Sequence, residues 1–157
     1  ILTNNGTIET FATTIGAEAI VMGGENNIVI NNGTIATRGT TADTVTTSDD
    51  NFTITNNGAI ISRGERAHAI FSINNADAET ITITNTGSII AEGIDSNGIH
   101  INNAAIAVIN NSGLIHAFDP TEEAILGSTG VDTLNLLSGS QLIGIIDLRG
   151  GTDTVNI

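Results

Sequence analysis

The sequence contains no cysteine, tryptophan or tyrosine, and it has only one proline and four phenylalanines. Without cysteine, neither a disulfide framework nor a thiolate metal site is possible. A core without large aromatic rings must be built from many smaller side chains, and the β-branched isoleucines that dominate here favour pleated strands. Because proline is almost absent, the turns must be made by glycine, asparagine and aspartate. These absences predict an all-β chain with short polar turns.

Positive charge is also scarce: four basic residues stand against seventeen acidic ones, which gives a net charge of −13. Such a chain repels a phosphate backbone and an anionic bilayer, so we expect no nucleic-acid partner and no direct membrane insertion. The sequence has no signal peptide and no apolar run long enough to cross a bilayer. Since the first residue is Ile1 and not methionine, we expect a fragment of a longer protein.

An Asn-x-Gly-x-Ile phrase occurs five times along the chain. Its glycines are Gly6, Gly33, Gly58, Gly87 and Gly113, at intervals of 27, 25, 29 and 26 residues. Asn4, Asn31, Asn56, Asn85 and Asn111 stand two positions before them, and Ile8, Ile35, Ile60, Ile89 and Ile115 two positions after. Intervals of this length are typical of stacked repeats.

Each repeat holds three short apolar stretches joined by polar turns, and one copy alone cannot bury three separate apolar edges. Stacking copies at the strand spacing of about 4.8 Å aligns each stretch with itself and builds a continuous core. The pattern therefore predicts a right-handed parallel β-helix with three strands per coil and five to six coils. We interpret residues 1–157 as one solenoid domain, with coils of 25–29 residues over 1–126 and a shorter C-terminal coil over 127–157.

The repeated phrase is predicted to form one corner of every coil. Asparagine and glycine both tolerate positive φ, which suits a sharp turn. The five asparagines would then form a buried hydrogen-bonded ladder from coil to coil, and the isoleucine would return to the core. We interpret all ten asparagines and glycines of the phrase as structural residues.

Two segments depart from the repeat. In the C-terminal coil, DTLNL at 132–136 returns as DTVNI at 153–157, and Leu142, Ile143, Ile145 and Ile146 are predicted to fill the interior between them. The segment from Ile70 to Gly87 is longer than its equivalents, so Asn74–Thr80 is predicted to bulge outward as a loop.

One polar column is the candidate site. Glu18, Asp43, His68, Asn97 and Glu123 stand two residues before the third apolar stretch of each coil. Stacked, the first three could hold a cation or act as an acid/base pair, or the column is simply a hydrated turn. The three histidines occupy different columns and need not meet, so each is interpreted as a surface or corner residue. We expect no catalytic residue, no cofactor and no metal.

The Asn-x-Gly-x-Ile coils, followed by GSTGVDTLNLLSGSQLIGIIDLRGGTDTVNI, resemble the passenger domain of bacterial autotransporters. The resemblance covers essentially the whole chain and implies a rod that is exported through the outer membrane by a C-terminal membrane anchor. It also implies display at the cell surface or secretion, adhesion or aggregation as the activity, and a surface receptor or glycan as the partner, with self-association also open. No Gly-x-Ser-x-Gly is present, so protease activity is not expected. The alternative is a solenoid module that binds or cleaves polysaccharide with stacked carboxylates.

Overall fold

The computed structural model describes residues 1–12, 15–48, 51–73, 80–102 and 106–157. These residues form strands and turns and contain no helix. The strands are β1 (Leu2–Asn4), β2 (Thr7–Glu9), β3 (Ile20–Met22), β4 (Ile28–Asn31), β5 (Thr34–Thr37), β6 (Val45–Thr47), β7 (Phe52–Asn56), β8 (Ala59–Ser62), β9 (Ile70–Ile73), β10 (Thr80–Asn85), β11 (Ser88–Ala91), β12 (Ile99–Asn102), β13 (Ile106–Asn111), β14 (Leu114–Ala117), β15 (Glu123–Leu126), β16 (Asp132–Leu136), β17 (Gln141–Ile143), β18 (Ile145–Asp147) and β19 (Thr154–Asn156). Of the predicted loop Asn74–Thr80, only Thr80 lies within the described residues, and it begins β10.

The strands form three parallel sheets, and each strand pairs with the strands three places before and after it in the chain. The sheet orders are β1-β4-β7-β10-β13-β16-β19, β2-β5-β8-β11-β14-β17 and β3-β6-β9-β12-β15-β18. We call them the first, second and third sheets. Three consecutive strands therefore make one coil, and every coil lies directly on the previous one. The predicted parallel β-solenoid with three strands per coil is confirmed.

The core consists of aliphatic columns that run through successive coils. The second sheet places Ile8, Ile35, Ile60, Ile89 and Ile115 in register, and Ile35, Ile60, Ile89 and Ile115 are fully buried. The third sheet aligns Ile20, Val45, Ile70, Ile99 and Ile125 in the same way. Because each residue packs on its own equivalent, the repeat interval in the sequence sets the register of the whole stack.

The sequence-based explanation of the corner glycines was wrong. None of the five glycines of the phrase has a left-handed φ. What requires glycine is the close approach of neighbouring coils: a Cβ on Gly58 would lie 2.0 Å from the carbonyl oxygen of Gly33, and a Cβ on Gly87 would lie 2.0 Å from that of Gly58. Gly6 in the first coil has no such neighbour within 4 Å.

Left-handed backbone instead occurs at the corner between the second and third sheets. Thr41, Arg66 and Asp95 have φ values of 52°, 52° and 54°. They lie one above another, because Thr41 N–H donates to the Glu65 carbonyl and Arg66 N–H donates to the Ile94 carbonyl, each at 2.8 Å. A β-branched residue such as Thr41 is disfavoured in this region, so this corner stores strain that glycine would relieve.

The C-terminal coil is less buried than predicted. Leu142 is half-buried and packs against the core, but Ile143, Ile145 and Ile146 are 49%, 43% and 42% exposed. Ile143 aligns with the half-buried His116 and not with a core position. Ile146 aligns with the core residue Ile125, but β18 is the edge strand of the third sheet. An apolar hollow of about 380 Å³ lies there, lined by Leu136, Leu137, Gly139, Ser140, Leu142, Ile146 and Ile157.

Candidate functional site

The corner asparagines form one continuous chain of side-chain hydrogen bonds. Each Nδ2 donates to the Oδ1 of the asparagine in the next coil at 2.8 Å, along Asn4, Asn31, Asn56, Asn85 and Asn111. The last of them donates to Ser140 Oγ at 2.6 Å. The same Nδ2 atoms reach backbone carbonyls, as Asn56 does to Ser88 O at 3.0 Å.

These hydrogen bonds engage the side-chain amides, which lie inside the wall of the solenoid. Asn31, Asn56, Asn85 and Asn111 have no solvent exposure, and a buried amide with all its partners has no free group to offer a ligand. A second, exposed ladder runs beside the first, with Asn57 Nδ2 donating to Asn32 Oδ1 at 2.8 Å. The buried asparagine ladder therefore supports the stack and offers no free amide to a ligand.

The polar column lies at the corner before the third sheet, and its members are linked from coil to coil. Asp43 Oδ1 accepts from the backbone N–H of His68 at 2.6 Å. His68 Nδ1 accepts from the backbone N–H of Asn97 at 3.0 Å, and Asn97 Nδ2 donates to Glu123 Oε2 at 2.6 Å. Asp43 therefore binds the main chain of His68 and not its imidazole, so the two do not form an acid/base pair through their side chains.

Burial shifts the protonation of this column. It raises the pKa of Asp43 to about 7, against the opposing backbone hydrogen bond from His68 and with a smaller contribution from the charge of Glu18. It lowers the pKa of His68 to about 3, with a further contribution from His100. Both shifts favour the neutral side chains, as burial without an ionic partner does.

The expectation that the histidines need not meet was wrong for two of them. His68 Nε2 lies 3.2 Å from His100 Nδ1, and the ring centroids are 4.6 Å apart. The residues belong to different columns, but their rings lean toward each other across the outer surface of the third sheet. His116 is separate and stacks on Phe118 with 4.3 Å between ring centroids.

Two further residues complete this cluster, and sequence analysis did not find them. Arg149 Nη2 lies 3.3 Å from His100 Nε2, and the Phe71 ring lies 5.0 Å from the His100 ring and 5.2 Å from that of His68. Phe71 and His100 are cross-strand neighbours in β9 and β12. Burial lowers the pKa of His100 to about 4, and the charge of Arg149 lowers it further. We call His68, Phe71, His100 and Arg149 the histidine cluster.

Within the described ranges, no three side chains of histidine, aspartate or glutamate converge on a position that could hold a metal ion. No helix that could span a membrane occurs in that same part of the chain.

Comparison of the chain with protein-family models, with curated proteins and with solved structures gave no match. The class of protein is therefore defined by the fold: this is a parallel β-solenoid built from repeats with an asparagine corner.

Proposed function

We propose that this solenoid is a segment of a rod displayed at a bacterial cell surface or secreted, of the kind that autotransporter passengers form. Its activity would be adhesion or aggregation, or the presentation of an adhesive region, without an enzymatic step. The sequence resemblance supports this proposal, as does the net charge of −13, which keeps a secreted rod soluble.

The observation that carries the proposal is the filled interior. The aliphatic columns and the asparagine ladder occupy the inside of the stack, so a partner can be contacted only on the outer faces and corners. A rod with a constant backbone and variable outer residues suits recognition of another surface.

The alternative of a polysaccharide-cleaving module gains no support from the polar column. Two carboxyl groups that act on a glycosidic bond must both face the sugar from an accessible cleft. Asp43 is only 8% exposed and its Oδ1 is bonded to the main chain of His68. Glu123 accepts from Asn97 on the same column. Both carboxylates are thus hydrogen-bonded to a neighbouring coil.

The test is an adhesion assay with the purified chain on fluorescent beads. We expect saturable attachment to bacterial or host cells, or clumping of the beads. Beads that carry the core variant Ile60→Asp, which should not fold, control for adsorption of acidic protein. A chain that neither attaches nor clumps, but releases reducing ends from a panel of polysaccharides, would replace the rod with the enzyme.

A further inference from the structure

We propose that His100 and Arg149, with Phe71 beside them, form a binding site for a sugar that carries a carboxylate. The inference deepens the proposed function, since it names the ligand class that one outer face would recognise. It rests on the hydrogen-bonding roles in the histidine cluster, on the ion pairs of the other arginines and on the half-exposed aromatic ring.

The hydrogen-bonding roles follow from counting protons along the cluster. It is a chain of three contacts with a donor at each end: the Asn97 backbone N–H contacts His68, His68 contacts His100, and His100 contacts Arg149. A neutral imidazole has one N–H and one acceptor nitrogen, and a guanidinium has donors only. Two neutral rings between two donors cannot make three hydrogen bonds. One of the three contacts must therefore join two donors.

The contact that joins two donors is the exposed one, between His100 and Arg149. The contacts from Asn97 to His68 Nδ1 and between the two rings are both part-buried, whereas the contact with Arg149 is exposed. An unpaired buried donor costs more than an unpaired donor in water. His68 therefore holds its proton on Nε2 and donates to His100 Nδ1, which leaves the proton of His100 on Nε2. That N–H faces the guanidinium of Arg149 at 3.3 Å. Two donors thus meet at the surface, and the acceptor that would satisfy both is a carboxylate oxygen.

Arg149 differs from the other three basic residues, because each of those forms an ion pair. Arg38 and Arg63 pair with Glu9 at 2.8 Å and 3.4 Å, and Arg66 pairs with Glu65 at 3.2 Å. Arg149, by contrast, makes no ion pair with any described residue, and the nearby Asp147 is bonded through Oδ1 to the backbone N–H of Arg149 at 2.7 Å. Its guanidinium is exposed and is left without an ion-pair partner among the described residues, on a chain of net charge −13.

Phe71 indicates that the carboxylate belongs to a sugar. The half-exposed ring lies beside His100 on the same outer face, and a flat aromatic surface packs well against the C–H groups of a pyranose ring. An acidic peptide carries a negative charge on every residue, and the surrounding carboxylates, including Asp147 and Glu123, would repel it. A uronic acid brings one carboxylate per ring together with neutral hydroxyl groups, so it suffers less of that repulsion.

The first experiment measures the protonation of the ring. In a histidine-labelled sample, long-range proton–nitrogen NMR at pH 7.5 should show His100 protonated on Nε2 and His68 likewise. If His100 carries its proton on Nδ1, Arg149 already has its acceptor, and the proposal is overturned.

The second experiment measures binding of an oligogalacturonate to the 157-residue chain by calorimetry. Arg149→Gln should weaken binding by roughly tenfold or more, as expected for loss of a charged hydrogen bond. The matched control Arg66→Gln removes an equal charge at a different corner and should leave the affinity within about twofold. Phe71→Ala should weaken binding of the acidic oligomer, and the carboxyl-reduced oligomer should bind wild type as weakly as the acidic one binds Arg149→Gln.

Three results would overturn the assignment: no binding of the acidic oligomer, equal loss in the two arginine variants, or equal affinity for hexaglutamate. The bead assay separates this proposal from the previous one. If the beads adhere but bind no uronic acid, the adhesive function of the rod is supported and the proposed uronic-acid site is refuted. If the chain binds the sugar but the beads do not adhere, the site stands and the rod function fails.

Discussion

Placing a single methyl group at the glycine corner tests the stacking of coils directly. In Gly58→Ala the new Cβ would lie 2.0 Å from the Gly33 carbonyl oxygen and 2.9 Å from its carbonyl carbon. An ordinary contact needs 3.4 Å or more, so the two coils must separate locally by more than an ångström. The backbone φ is not the difficulty, because this glycine is not left-handed.

The cost follows from the hydrogen bonds that such a separation breaks. Ala59 N–H donates to the Gly33 carbonyl at 2.8 Å, and Asn57 N–H donates to the Asn31 carbonyl at 2.7 Å. Lengthening both beyond bonding distance leaves buried groups unpaired at about 1–3 kcal/mol each, and forced overpacking adds a similar amount. We therefore expect a loss of about 3–5 kcal/mol from a total stability on the order of 5–15 kcal/mol.

The measurement is urea unfolding followed by far-ultraviolet circular dichroism, with Gly6→Ala as the matched control. Gly6 occupies the same corner in the first coil, but no atom lies within 4 Å of its new Cβ. The control should therefore stay within about 1 kcal/mol of wild type. Equal unfolding midpoints for the two variants would refute the argument that coil contact, and not turn conformation, selects glycine here.

Three further predictions concern the ladder, the strained corner and the response to pH. Asn56→Ala removes a fully buried amide and should lower the free energy of unfolding by about 2–4 kcal/mol. Asn57→Ala in the exposed ladder should lower it by under about 0.5 kcal/mol. Similar losses in the two variants would contradict the assignment of the buried ladder as the support of the stack. Thr41→Gly should raise the midpoint of thermal unfolding, because Thr41 has a φ of 52° and relief of such backbone strain is worth about 1 kcal/mol. A lower midpoint would argue against strain at this corner. Because the folded pKa values of two histidines lie at about 3 and 4, below their ordinary 6.5, the unfolded chain binds more protons and unfolding free energy should fall as pH drops from 6.5 to 4. The pKa of Asp43 is raised to about 7 in the folded chain, so between pH 3.8 and 7 the folded chain holds a proton that the unfolded chain has lost, and this opposes the trend. Asp43→Asn should therefore make the unfolding free energy fall more steeply as the pH drops. An unchanged pH dependence would refute this account.

The features that could be predicted from sequence are those that repeat. Similar intervals between equivalent residues define the columns, and the structure pairs Ile60 with Ile35 and Ile89 as stacking at those intervals requires. Hydrophobic columns and polar corners both follow from this one constraint, because a shift of one residue would move a whole face from the core to solvent.

The reasons behind individual residues were harder to obtain. The sequence shows that the corner needs glycine but not how closely the next coil approaches, so positive φ and close packing are indistinguishable before the structure is seen. The contact between His68 and His100 was missed for a different reason. Comparison of columns considers backbone positions, and two rings whose columns are three positions apart can meet because each side chain reaches several ångströms sideways. Arg149 lies 49 residues from His100, two coils further along and just past the residue that shares its column, so comparison of adjacent coils does not bring the two together.

The position of the histidine cluster follows from how a solenoid separates stability from recognition. In the third sheet the inward column is aliphatic in every coil, from Ile20 through Val45, Ile70, Ile99 and Ile125 to Ile146. The adjacent outward column changes in every coil, in the order Val21, Thr46, Phe71, His100, Leu126 and Asp147. The inward side chains must fit their equivalents above and below, whereas the outward ones, apart from the buried Thr46, are at least partly exposed to water. Polar and aromatic side chains can therefore be placed on an outward column without disturbing the core. In the histidine cluster that column supplies Phe71 and His100, and the turn after β18 adds the guanidinium of Arg149.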